Sequence, residues 1–184
     1  MDENGMVMNQ NSDVLPRDCT SISGEHRFEV FAGTEFAGDQ PGQIFAYDIN
    51  EFEVEPCSLV HVRLTNRDEV RHQWMVHGLP RYLYPGGMFH LEASGGATVS
   101  GSFIVPSDRA TYLVHCDITQ HMEKGMKGQL LVGGGSGDLW AVPGVSADYL
   151  RASYQSPFSW SWPLLLLALV PVCMLLLAGR SSDR

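Results

Sequence analysis

Basic residues are scarce in this chain. Its 184 residues include 12 Lys and Arg against 21 Asp and Glu, which gives a formal net charge of −9 at neutral pH. Such a chain lacks the positive excess that neutralises phosphates, so no nucleic-acid partner is expected. The length also excludes a large multidomain enzyme, because one ordinary domain leaves only about 50 residues for tails, a linker or an anchor.

Several motifs that carry common chemistries are missing. The chain has no Gly-Lys-Ser/Thr phosphate loop and no Cys-x-x-Cys-His haem attachment, and GGGSGD at 133–138 lacks the final glycine of Gly-x-Ser-x-Gly. A hydrolase therefore has little support.

Among the four cysteines, Cys173 lies in an apolar stretch, whereas Cys19 and Cys57 could pair in an oxidising compartment. The sequence leaves that pairing open.

One long stretch without charge follows the rest of the chain. Residues 158–179 read FSWSWPLLLLALVPVCMLLLAG, and a helix of that length spans roughly 33 Å, enough to cross a bilayer. Arg180 and Arg184 follow this stretch, against Arg151 alone shortly before it, so the positive-inside rule places the tail in the cytoplasm. We expect a single-pass inner-membrane protein with its domain on the periplasmic side, although the N-terminal residues show no signal peptide.

The remaining sequence is rich in turn signals and short apolar runs. The 19 Gly and 10 Pro favour many turns, and six runs are alternating or rich in β-branched residues. Those runs are QIFAYDINEFEVEP (43–56), SLVHVRLTN (58–66), HQWMVHGLP (72–80), ATVSGSFIVPSD (97–108), ATYLVHCD (110–117) and GQLLVGG (128–134). They predict an all-β sandwich or small barrel of six or seven strands.

The composition changes along the chain predict five segments. They are a flexible polar lead-in (1–26), a β-domain (27–138), a linker (139–157), a transmembrane helix (158–179) and a short tail (180–184). The chain shows no internal repeat, so we expect one β-domain and one membrane helix.

Residues suited to binding a metal cluster near the end of the β-domain. The segment HCDITQHMEKGM (115–126) places Cys116, His121 and Met126 in the spacing C-x4-H-x4-M, and His72 opens an earlier predicted strand. One thiolate, two imidazoles and a weak thioether form the ligand set of a trigonal copper centre with a long axial bond. Such a centre suits one-electron transfer. Zinc is the less favoured metal, because this ligand set is unusual for it.

These motifs resemble those of the cupredoxins, a family of Greek-key domains that carry type 1 blue copper. The ligand loop is most similar to the last domain of multicopper oxidases, where His-Cys-His-x3-His-x4-Met/Leu follows an earlier His-Pro-x-His-x-His-Gly strand. Here the two stretches read HQWMVHG and HCDITQHMEKGM, and the similarity spans about residues 43–134. The resemblance implies type 1 copper on His72, Cys116 and His121, with Met126 in the axial position.

The resemblance also implies a second copper as an alternative. His77 and His115 match, in spacing, two histidines that one domain of copper nitrite reductases contributes to a type 2 site shared across a trimer interface. A homotrimer could complete that site with His61 or His90 of a neighbouring copy. The competing interpretation is that His77 and His115 are ordinary, partly buried histidines.

The favoured function is a membrane-anchored copper protein that passes single electrons to a membrane-bound or soluble redox protein. Oxygen reduction is not expected, because Met75 and Asp117 stand where multicopper oxidases place further histidines. An electron carrier is favoured over an enzyme. Two alternatives stay open: a homotrimeric copper oxidoreductase with an additional type 2 copper, and an accessory or copper-delivery subunit of a larger membrane copper enzyme.

Overall fold

The structure, a computed structural model, describes residues 4–38 and 42–146. Ten β-strands and two short 3-10 helices lie in these residues. The strands are β1 (Gly5–Met8), β2 (Glu25–Gly33), β3 (Ala46–Tyr47), β4 (Glu51–Val54), β5 (Leu59–Asn66), β6 (His72–His77), β7 (Met88–Ala93), β8 (Thr98–Ile104), β9 (Ala110–His115) and β10 (Lys127–Val132). The 3-10 helices are Thr34–Phe36 and Pro85–Gly87.

The strands form two sheets. The six-stranded sheet has the order β1-β7-β6-β9-β10-β4, and the four-stranded sheet has the order β3-β2-β5-β8. Neighbouring strands are antiparallel except for the pairs β2–β5 and β4–β10, which are parallel. Because a hairpin cannot join parallel partners, the chain crosses between the sheets instead of following one sheet from edge to edge. The predicted all-β fold is confirmed for the described residues.

The core lies between the two sheets and is largely aromatic. In β4 the residues Phe52 and Val54 are buried while Glu51 and Glu53 are exposed, as strand alternation requires. Phe52 meets the fully buried Trp74 of β6 edge-on, with ring centroids 5.4 Å apart. Gly101 of β8 faces the same core, where a Cβ atom would lie 2.9 Å from the side chains of Leu91 and Phe89. A side chain at this position would force the neighbouring core side chains to shift.

The N-terminal segment differs from the predicted flexible lead-in over 1–26. Residues 5–8 form β1, which pairs with β7 at the edge of the six-stranded sheet. Further along, a disulfide joins Cys19 to Cys57, and the side-chain amide of Asn11 donates to the hydroxyl of Tyr84 at 3.0 Å. Strand β1 is held by backbone hydrogen bonds, and its four residues are too few to show an alternation of polar and apolar residues in the sequence.

Two further strands and one loop were not expected. Strands β2 and β7 bring the described strands to ten instead of the predicted six or seven. Residues 139–146, assigned to the linker, pack on the domain: Val142 is buried, and the Asn50 side-chain amide donates to the carbonyl of Pro143 at 2.9 Å.

The remaining linker, the predicted span 158–179 and the tail lie outside the described residues. No helix within 4–38 and 42–146 has the length and hydropathy to cross a membrane.

The Cys19–Cys57 disulfide predicts a large loss of stability on reduction. The two cysteines are 38 residues apart, and a cross-link of that span restricts the unfolded chain by about 4 kcal/mol. We expect the Cys19→Ser/Cys57→Ser variant to lose about that much free energy of unfolding in urea titrations of the full chain. A reductant should destabilise the unmodified chain to the same extent and leave the variant unchanged. A loss below about 1 kcal/mol would contradict a structural role for the disulfide.

Candidate metal centre

The pairing of β6 with β9 brings the two sequence motifs together. Met75 of β6 lies opposite His115 of β9, so Cys116, which directly follows β9, comes level with the start of β6. There the backbone N–H of Gln73 donates to Sγ of Cys116 at 3.4 Å. His72 and Cys116 are both fully buried. Adjacent strands therefore hold the first two predicted ligands in place.

The loop after Cys116 supplies the third predicted ligand, His121. Backbone hydrogen bonds close this loop: the N–H of Cys116 donates to the carbonyl of Met126 at 3.1 Å, and the N–H of Met126 donates to the carbonyl of His121 at 2.9 Å. Gly125 has a φ of 109°, and a Cβ atom there would lie 2.4 Å from Cγ of Gln43. A side chain at Gly125 would therefore push the loop out of place.

Three of the predicted ligands form one compact cluster. The ligand atoms of His72, Cys116 and His121 lie within 4.8 Å of one another. The two Nδ1 atoms of the histidines are 3.2 Å apart, and Sγ of Cys116 lies 3.5 Å from Nδ1 of His121. Met126 is fully buried at the end of the same loop. Its role as the axial ligand stays a prediction.

Asp68 fixes the orientation of His72. Its carboxylate accepts a hydrogen bond from Nε2 of His72 at 2.8 Å and is held by the N–H and hydroxyl of Thr34. Because a carboxylate can only accept, the proton of the His72 ring lies on Nε2, and the Nδ1 lone pair is directed at the cluster. A metal-bound histidine commonly has such a partner on its other nitrogen.

Burial sets the protonation of the cluster. Burial lowers the pKa of His72, although Asp68 acts in the opposite direction. Burial and the neighbouring His72 together lower the pKa of His121. Burial also opposes the ionisation of Asp68, but hydrogen bonds from His72 and Thr34 keep its pKa below the ordinary value. Burial raises the pKa of the Cys116 thiol to about 11. At neutral pH both imidazoles offer lone pairs, and a metal must displace the thiol proton when it binds.

Phe45 covers the cluster on the side of His121. Its ring stacks on the His121 ring with centroids 4.1 Å apart, and it meets His72 edge-on at 5.5 Å. The backbone N–H groups of Ile44 and Phe45 both donate to the carbonyl of Lys124, which fastens this segment to the ligand loop. His121 is therefore only 7% exposed. The three predicted ligands therefore lie in a site that largely excludes water.

The other histidines named in the sequence analysis lie apart from this cluster. The rings of His77 and His115 stack on each other with centroids 4.8 Å apart. His90 lies on β7, the strand next to His77. His61 lies on β5 in the other sheet, with its Nδ1 2.7 Å from the hydroxyl of Ser102. The structure therefore brings together His72, Cys116 and His121 and separates them from the second predicted set.

No family model and no curated protein matches this chain. Solved structures do match it. Auracyanin A, a "blue" copper protein from Chloroflexus aurantiacus, is 22% identical, with a TM-score of 0.45, over 59% of this chain and 99% of its own. Auracyanin B is 17% identical, with a TM-score of 0.47, over 70% of this chain and 97% of its own.

A multicopper oxidase, mgLAC, also matches in structure. It is 19% identical, with a TM-score of 0.46, and the match covers 62% of this chain but only 40% of the oxidase.

The hydrogen bond from His72 predicts that Asp68 supports metal binding. We expect Asp68→Ala to weaken Cu(II) binding by about 10- to 100-fold, because the His72 ring loses the acceptor that fixes it. Asp68→Asn keeps an acceptor oxygen and should weaken binding less. Glu69→Ala, which removes the neighbouring exposed carboxylate, is the matched control and should leave the affinity unchanged. Competition against a chelator measures each affinity, and an unchanged Asp68→Ala would refute the role.

Proposed function

We propose that this chain is a cupredoxin that carries single electrons on one copper ion held by His72, Cys116 and His121. The observation that carries this proposal is the buried cluster, whose three ligand atoms lie within 4.8 Å of one another. A soft thiolate with two neutral imidazoles is the donor set of a blue copper centre. Met126, buried on the same loop, is the proposed axial ligand.

The residues around the cluster suit electron transfer. When bound, copper supplies a one-electron redox couple. Asp68 holds the proton of His72 away from the cluster, and the Gln73 N–H donates to the Cys116 sulfur. The hydrogen bonds of the ligand loop fix the backbone on both sides of His121. Such a rigid ligand set moves little between two oxidation states, which favours rapid electron exchange.

The burial of the ligands favours a carrier over an enzyme. An enzyme that bound its substrate at this metal would need an open coordination position reached from solvent. Here His72 and Cys116 are fully buried, and Phe45 stacks on His121. A substrate would have to displace Phe45, whereas an electron passes through the protein without displacing a side chain. The partner we propose is another redox protein.

We also propose that residues 158–179 anchor the domain to the inner membrane, with the copper domain on the periplasmic side. The support is the run of 22 residues without charge and the arginines that follow it. The Cys19–Cys57 disulfide is consistent with an oxidising compartment. An anchor would keep the carrier near a membrane-bound partner and raise their effective concentration without a tight interface.

The proposed copper centre predicts an intense visible colour. The full chain loaded with Cu(II) should show strong thiolate-to-copper absorption, because Cys116 supplies the sulfur ligand. The absorption should disappear in Cys116→Ala. A colourless protein after Cu(II) loading would refute the type 1 centre.

Two control variants make this result specific. Cys173→Ser removes a cysteine outside the ligand loop and should keep the colour. Met126→Leu should also keep the colour but raise the reduction potential, because a sulfur donor to the oxidised ion is lost.

Retention of the copper against a mild chelator would favour an electron carrier over a delivery protein, since a delivery protein must release its metal.

The proposed anchor predicts a membrane-bound protein. After expression in a bacterial host, the full chain should stay in the membrane fraction during alkaline carbonate extraction, because roughly 20 apolar residues insert stably into a bilayer. A chain that ends at residue 146 should appear in the soluble fraction. Release of the full chain by carbonate, or retention of the shortened chain, would contradict the anchor.

A further inference from the structure

The side chain of Gln73 joins two strands to the start of the ligand loop. Gln73 of β6 lies directly opposite Glu92 of β7. Both point away from the core, because Gln73 alternates with the buried Trp74. The side-chain amide of Gln73 donates to the Glu92 carboxylate at 2.6 Å, and its oxygen accepts the backbone N–H of Asp117 at 3.2 Å. One side chain therefore connects β6 and β7 to the residue that follows Cys116.

Glu92 determines which way the amide of Gln73 faces. A carboxylate only accepts hydrogen bonds, so the NH2 group of Gln73 must face Glu92, and the amide oxygen is left for the N–H of Asp117. The opposite orientation would place oxygen against oxygen and donor against donor. Without Glu92, the orientation that holds Asp117 loses its main support.

The backbone of Gln73 also contacts the Cys116 sulfur. Its N–H donates to Sγ of Cys116 at 3.4 Å, and its carbonyl accepts a hydrogen bond from the hydroxyl of the buried Tyr47. Gln73 is therefore held by Tyr47 on its backbone and by Glu92 on its side chain. A displacement of Gln73 would disturb the hydrogen bond to the sulfur and the hydrogen bond to the following residue together.

The charge of Glu92 lies in a position where water screens it weakly. Glu92 is only 9% exposed, and its second carboxylate oxygen lies 3.0 Å from a guanidinium nitrogen of Arg71. Burial is the main cause of the raised pKa of the Cys116 thiol, and the negative charge of Glu92 acts in the same direction. The electrostatic field of this carboxylate therefore reaches the sulfur.

We propose that Glu92 is a positioning residue for the copper centre, which fixes the backbone beside Cys116 through Gln73 and, together with Arg71, sets the reduction potential. This inference rests on the proposed electron-transfer function. A nearby negative charge stabilises the oxidised ion, which carries one more positive charge than the reduced ion, and a nearby positive charge has the opposite effect. The ion pair of Glu92 with Arg71 therefore keeps the potential between the values that either charge alone would give.

The electrostatic role is tested by removing each charge in turn from the copper-loaded full chain. Glu92→Gln keeps an acceptor oxygen for Gln73 but removes the negative charge, so the reduction potential should rise. Arg71→Gln removes the positive charge, so the potential should fall. A general disturbance of the structure would not shift the potential in opposite directions. Shifts of the same sign, or no shift in either variant, would overturn this role.

Two exposed residues provide matched controls for these charge changes. Glu53→Gln removes a negative charge from β4, at the edge of the same sheet, and Arg63→Gln removes a positive charge from β5 in the other sheet. Water screens both charges, so neither variant should change the potential measurably. A shift in the controls as large as those at Glu92 and Arg71 would count against the proposal.

The positioning role is tested without copper, by hydrogen exchange of the Asp117 amide in the metal-free full chain. Exchange should be at least about tenfold faster in Glu92→Ala, because Gln73 loses its charged acceptor. Glu92→Gln should restore most of the protection. If Glu92→Ala does not fold, Gln73→Met removes the acceptor of the Asp117 N–H and should give the same increase. Unchanged exchange would overturn the positioning role.

The two measurements distinguish a failure of this inference from a failure of the proposed function. A chain without thiolate-to-copper absorption, whose Asp117 exchange still responds to Glu92→Ala, would refute the proposed function and the effect on the potential but not the positioning by Gln73. A blue chain whose potential and exchange ignore Glu92 would retain the proposed function and refute this inference.

Discussion

A thiol and two imidazoles meet inside the sandwich with little access to water, and much of the surrounding structure compensates for that burial. The Asp68 carboxylate accepts a hydrogen bond from Nε2 of His72, and the N–H of Gln73 donates to the Cys116 sulfur. Buried polar atoms without such partners are costly. The strand pairing, the ligand loop and the cover provided by Phe45 all act on the same few atoms. They hold these atoms close together.

Strand β6, and the segment formed by β9 and the residue that follows it, each carry candidate ligand residues on opposite faces of the sheet. His72 and Cys116 lie on the core side, whereas His77 and His115 lie on the outer side. Alternation along a strand requires this separation, because an odd number of steps reverses the direction of the side chain. The neighbouring residues His115 and Cys116 therefore face opposite sides of the six-stranded sheet.

The grouping of His72, Cys116 and His121 could be predicted because the types and spacing of these residues are specific. Cys116 and His121 stand five positions apart on one loop, and the structure places their ligand atoms together with that of His72. Asp68 could not be predicted, because its contact with His72 depends on the loop between β5 and β6 folding back beside Thr34. The all-β fold followed from alternation and turn signals. Strand β1 did not, because four residues at a sheet edge show little pattern.

The Cys19–Cys57 disulfide has a consequence for how the protein is assembled. While the chain is unfolded, Cys116 is an equally reactive thiol, and 59 residues separate it from Cys57. The 38-residue separation in the native disulfide makes closure easier by only about 0.4 kcal/mol, too little to select the correct partner. Selection must come from folding, which buries Cys116 completely. Oxidation of Cys116 before the sandwich closes would use up the sulfur of the proposed copper ligand, so biogenesis depends on the relative timing of folding and oxidation.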